Sequence, residues 1–169
     1  LLLPGIANSA ACGKSVAMVV SAQGNVQTQA NDSEGWFSVE LNHKICPGDM
    51  IRVRELSRAA VLMMNETIIR LDQNTTVTFT VAREDRTSLL DIISGIVHFI
   101  SRVPRTLKVN TPFVNGTVEG TEFLVSVFKE HALISVFEGQ VLTSNDAGSL
   151  KLTSGQSAVA ETGKAPVLK

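Results

Sequence analysis

Three histidines, His43, His98 and His131, are the side chains able to exchange protons near neutral pH without help from their surroundings. His98 interrupts the apolar run 96–100, and His43 and His131 stand at turns or strand starts. Ser94, His98 and Asp91 supply the three residue types of a nucleophilic triad, but no Gly-x-Ser-x-Gly turn lifts a serine out of a strand. Glu84 and Asp85 are adjacent in a charged connection, a place where carboxylates stay hydrated. Neither a phosphate-cradling loop nor a dinucleotide fingerprint occurs. Two cysteines cannot hold a structural zinc, and no histidine pair has ligand spacing. The expectation is a non-enzyme with no cofactor, catalytic residue or metal site.

The cysteines point to another chemistry. The chain opens Leu1-Leu2-Leu3-Pro4-Gly5-Ile6-Ala7-Asn8-Ser9-Ala10-Ala11, an apolar run, a break and small residues. That order reads as the tail of a secretory signal peptide cleaved before Cys12. An ordinary apolar strand is the alternative. In an oxidising compartment Cys12 and Cys46 are a plausible disulfide, stabilising by about 3–4 kcal/mol through the loop it closes. A lipidated Cys12 and two free thiols are the rival readings. The expected organisation is a signal remnant at 1–11, one β domain at 12–160 and a linker or tail at 161–169.

The elements that must position these residues are strands. The chain has 169 residues, 44% hydrophobic and 18% charged, a globular balance with material for one core. The net charge of −1 gives no field to attract nucleic acid, despite local clusters at Arg52, Arg54 and Arg58 and at Arg102, Arg105 and Lys108. No stretch after the first residues is long and apolar enough to span a bilayer. Short apolar alternations recur between Gly, Asn, Asp and Pro. They predict strands over 16–20 and 25–29 as a first pair, then 37–41, 50–54, 58–64, 67–71 and 75–82. Residues 88–94 fit a short helix or a strand, and the following Gly95 and run 96–101 favour strand. Pro104 is expected to end that strand. Further strands are predicted over 106–110, 114–118, 122–129, 132–138, 140–144, 150–153 and 157–160. Gly24, Gly95, Gly116 and Gly139 each stand before a strand, an irregular echo and not a repeat array. Strand 122–128 is apolar on both faces, as if covered on both sides. Trp36-Phe37 is read as a plug for the core or a contact surface. Four Asn-x-Ser/Thr sequons, at Asn31, Asn65, Asn74 and Asn115, fit turn chemistry.

From about Val19 to Val159 the order of motifs resembles the FecR domain. Gly24-Asn25-Val26 opens it, followed by Pro47-Gly48-Asp49 and Ser57-Arg58-Ala59. Leu71 closes a strand before the polar turn that runs into Asn74-Thr75, and Ile93-Ser94-Gly95-Ile96-Val97 follows. The most telling part is Thr111-Pro112 with Gly120-Thr121-Glu122-Phe123, then Glu138-Gly139-Gln140-Val141 and Gly155-Gln156. The resemblance implies an all-β architecture of many short strands, a stacked β-sandwich or solenoid-like form, in which these residues are fold determinants.

The resemblance also bears on function. Named members carry a cytoplasmic anti-sigma segment and a membrane helix, whereas this chain opens on a leader-like run. The first expectation is therefore an exported, non-catalytic module at the bacterial envelope, stand-alone or joined to tetratricopeptide repeats. It would bind or scaffold a protein partner through a β-surface or sheet edge. The alternatives are a subunit assembling into a filament or surface layer and, more weakly, a periplasmic sensor of iron-uptake type signalling.

Overall fold

A computed structural model describes residues 12–169. The proposed signal remnant, 1–11, lies outside the described residues. The strands are β1 (Ala17–Gln23), β2 (Val26–Gln29), β3 (Phe37–Ser38), β4 (Lys44–Ile45), β5 (Met50–Val53), β6 (Arg58–Met63) and β7 (Ile68–Leu71). They continue as β8 (Thr75–Val81), β9 (Ser88–Asn110), β10 (Asn115–Val127), β11 (His131–Asn145), β12 (Gly148–Thr153), β13 (Ser157–Glu161) and β14 (Val167–Leu168). The class is all-β, as the alternation predicts. Every pairing among the described residues is antiparallel, so the pairing lends no support to solenoid-like coils.

One path of hydrogen-bonded neighbours runs β14-β13-β11-β10-β9-β7-β6-β1-β4. A branch runs β3-β2-β5-β8-β9, and β12 pairs with β11. Both arms enclose one core that includes Val19, Ile51, Val61, Ile69, Phe79 and Phe99. Period-two burial produces it: in β5, Ile51 and Val53 are buried while Met50 and Arg52 are half-exposed. β6 reads the same way with Ala59, Val61 and Met63 buried.

Several predicted boundaries give way because long strands bend instead of stopping. β9 carries straight through Gly95 and Pro104. Its residues 88–94 pair with β8, and 97–100 lie between β7 and β10. The turn at the bend is made by Gly95, whose φ is +100°, a value that side chains avoid. A Cβ there would come within 2.4 Å of the Thr75 Cα. Pro104 does not end β9, and the register shows why. Gly120 faces Arg105 and Glu122 faces Ile100, so residues 101–104 bulge opposite Thr121. A bulge needs no ladder N–H, which is the one thing proline lacks.

β10 and β11 bend together. Gly120 and Gly139 are paired, and a Cβ on Gly139, at φ +125°, would lie 2.4 Å from the Gly120 Cα. The glycines therefore join pieces predicted as separate strands, 114–118 with 122–129 and 132–138 with 140–144. The first predicted pair also resolves differently. β1 pairs with β4 and β6, and β2 with β3 and β5, so Gly24 separates two arms instead of closing a hairpin. The 37–41 strand shrinks to Phe37–Ser38, with Phe37 and Leu41 exposed. Residues 161–169, read as a linker, add β14 to β13.

Candidate functional site

The residues named from sequence fall into three groups. The first surrounds the N-terminal turn. Cys12 and Cys46 form a disulfide with Cα atoms 5.7 Å apart. Beside it, buried Asp49 accepts hydrogen bonds from the Cys46 N–H at 2.9 Å and the Asn31 N–H at 3.1 Å. Gly48 donates its N–H to Phe79 O at 2.7 Å. This turn is thus bound to β8 and to the loop at Asn31.

The second group lies where β7, β8 and β9 meet. Leu71 is in the core, and Asn74 makes the turn into β8 with a φ of +57°. Thr75 is fully buried, and its hydroxyl oxygen accepts the Ile96 N–H at 3.1 Å, which locks the Gly95 bend to β8. Thr111 closes the β9–β10 turn, its Oγ1 donating to Val114 O at 2.8 Å and accepting the Val114 N–H at 3.0 Å. Pro112 is exposed in that turn.

The third group follows β10 and β11. Phe123 is buried and stacks on Phe99 with ring centres 4.1 Å apart. Thr121 stands beside the bulge with its hydroxyl buried and without a hydrogen-bond partner among the described residues. Glu138 is exposed and faces Glu122 across the pair, and Gly155 turns into open space before β13.

The triad types do not come together in that role. His98 Nε2 lies 2.9 Å from Glu122 Oε1, and its ring meets Phe137 edge-on. Asp91 is partly buried, which pushes its carboxyl upward, opposed by a hydrogen bond to Asn110. Asp85 is lowered to about 2, first by the Thr87 backbone N–H and also by the Thr87 and Lys108 side chains. His131 stacks on Phe128. Among the described residues no group of three or more His, Cys, Asp or Glu gathers as a metal site, and no helix is long and apolar enough to cross a membrane.

What the sheet offers instead is a groove on its outer face. One hollow, about 460 Å³, lies over β1, β6, β7, β9 and β10. The register Ser21–Ala60–Arg70–His98–Leu124 crosses it, and Ala60 leaves the space that a larger side chain would fill. A second hollow of about 580 Å³ holds Asn74, Gly95 and Pro112 together with exposed Ile93 and Phe128. Asp72 and Ile96 line both, so the two hollows adjoin. On strand β10, Phe123, Val125 and Val127 face the core; on the other face Ser126 is buried as well, while Leu124 lines the groove. Sequence reading named Arg58 as part of a basic cluster and of the Ser57-Arg58-Ala59 step, and did not single out Ala60, Arg70 or Leu124. Their meeting depends on which strands become neighbours, which alternation along the chain does not show.

The family described as FecR protein matches residues 49–142, more than half of the chain. The chain belongs to the FecR family. Two crystal structures of a candidate anti-sigma factor from Parabacteroides distasonis share the fold of this FecR domain. Each has a TM-score of 0.61 at 18% identity. The alignment covers 71% of this chain and 58% of theirs, so the chain spans little more than half of those proteins. No curated protein sequence matches it. The FecR match encloses the second hollow's Asn74, Gly95 and Pro112, and the first hollow's Arg58 and Arg70.

Proposed function

We infer that this FecR domain is a non-catalytic, exported protein-binding module that acts as a sensor in a sigma/anti-sigma type signalling system. The observation that carries this is the family match over 49–142. The fold shared with a protein described as a candidate anti-sigma factor supports the same reading. The disulfide fits an oxidising compartment, and the open groove, lined by apolar and charged side chains, suits a macromolecular partner. Signalling is thus better supported than the envelope scaffold placed first on sequence alone. That ranking leaned on residues 1–11, which lie outside the described residues. The filament alternative gains little, because the longest path of strands ends in two-residue strands, β4 and β14, poor templates for edge stacking.

The test is a deletion of this coding sequence in its native strain, followed by transcript profiling and complementation. A sensor role predicts that a small set of genes sharing a promoter element changes and is restored on complementation. Unchanged transcripts with a weakened envelope would return the reading to scaffolding.

A further inference from the structure

The groove carries two cations with no carboxylate partner. Arg70, on β7, makes no side-chain hydrogen bond or ion pair with any described residue. Arg58, on β6, donates its Nε to Gln23 Oε1 at 2.6 Å and forms no ion pair among the described residues. The acids nearby are already engaged: Glu122 with His98, and Asp72 with the Gln73 N–H at 2.8 Å. Two guanidiniums thus stand over a hollow with Ile96 and Leu124 on its apolar side.

Their spacing selects a shape of ligand. Ala60 pairs with Arg70, and Arg58 lies two residues before Ala60 on the same face. Diagonal neighbours of this kind have Cα atoms about 7–8 Å apart. Side chains at i and i+2 of an extended chain share a face and stand about 6.6 Å apart. An extended segment with acids at i and i+2 therefore presents its carboxylates at the pitch of the two arginines. Arginine's planar fork of donors suits each carboxylate. A recessed groove with an apolar side favours such a chain over a flat lipid surface.

We propose that the groove formed by Arg58, Ala60, Arg70, Ile96 and Leu124 binds an extended acidic segment of a partner protein, two carboxylates meeting Arg58 and Arg70 and flanking apolar side chains resting on Ile96 and Leu124. The proposal rests on the protein-binding reading above and adds the chemistry of the partner.

The experiment uses fluorescence anisotropy on the full chain with a labelled seven-residue peptide: leucine at both ends, glutamate at the third and fifth positions, serine elsewhere. Binding is expected, weakening at least tenfold when both glutamates are replaced by glutamine. A similar loss is expected in Arg70→Ser and Arg58→Ser, with no change in Lys151→Ser on β12. Unaltered melting curves establish that the variants fold, and weakening of the wild-type complex by added salt provides a readout independent of any variant. Absence of binding, equal binding of the glutamine peptide or indifference to Arg70→Ser would overturn the proposal. So would displacement of the peptide by phosphatidylglycerol vesicles that themselves need Arg70, which would make the site one for anionic lipid. An Arg58→Ser/Arg70→Ser strain separates the two levels. If deletion alters transcripts and the double variant does not, the groove proposal fails and the signalling reading stands. If deletion leaves transcripts unchanged, signalling fails while the peptide titration still decides the groove.

Discussion

At the scale of single residues, side chains press hardest on backbone at the bend of β9. Gly95 has a positive φ and lies against Thr75, whose hydroxyl bonds the strand's next residue. Gly95→Ala would meet both left-handed strain and overpacking, and a loss of about 2–5 kcal/mol in urea unfolding is expected. Asp91 supplies a prediction with a pH sign. Its folded carboxyl is raised by burial, so the native state holds that proton more tightly than the unfolded chain does. Stability from this group is greatest below the unfolded value near 4 and falls as pH rises through the folded one. Asp91→Asn removes the buried charge. Its melting temperature relative to wild type should rise between pH 3.5 and pH 7, and a constant difference across that range would refute the assignment. Sequence marked Gly95 and Gly139 as points of turning but placed each before a strand, whereas they bend β9 and β11 from within. Asp91's partial burial was not legible, because it depends on how β9 packs, and its hydrogen-bond partner Asn110 stands nineteen residues further along the chain.

At the scale of elements, the strands were legible and their ends were not. Alternation in 50–54, 58–64 and 75–82 located β5, β6 and β8 within a residue or so, because each buries one face. β9, β10 and β11 defeated the same reading, since glycine and proline, the usual stop signals, here mark bends and a bulge within continuous strands. The groove was illegible for a related reason: it is built from strand neighbours, and alternation fixes which face a residue takes but not which strand lies beside it. The bulge gives its own prediction. Pro104 is exposed and opposite no ladder acceptor, so Pro104→Ala should change stability by no more than about 0.5 kcal/mol in urea unfolding. A large loss would mean that the proline fixes the bulge.

At the scale of the whole molecule, the long strands belong to both arms of the sheet. β9 joins the β8 branch to the β7 and β10 path, and a single cluster of buried side chains includes residues of both. Neither arm holds a complete core of its own, so unfolding should follow one transition. Trp36 fluorescence, sited on the β2–β5 arm through its contact with Arg52, and far-ultraviolet circular dichroism should give coincident urea curves. Separated midpoints would show the arms to be independent units. The Cys12–Cys46 bond has a further, mechanical meaning. It fastens Cys12, ahead of β1, to the residue just after β4, while β1 lies between β4 and β6. Tension arriving from the N-terminal side is therefore divided between two points of the sheet. Without the bond the same pull would fall on β1 alone and peel it from its neighbours one rung at a time. The crosslink makes this end of the domain a load-sharing anchor.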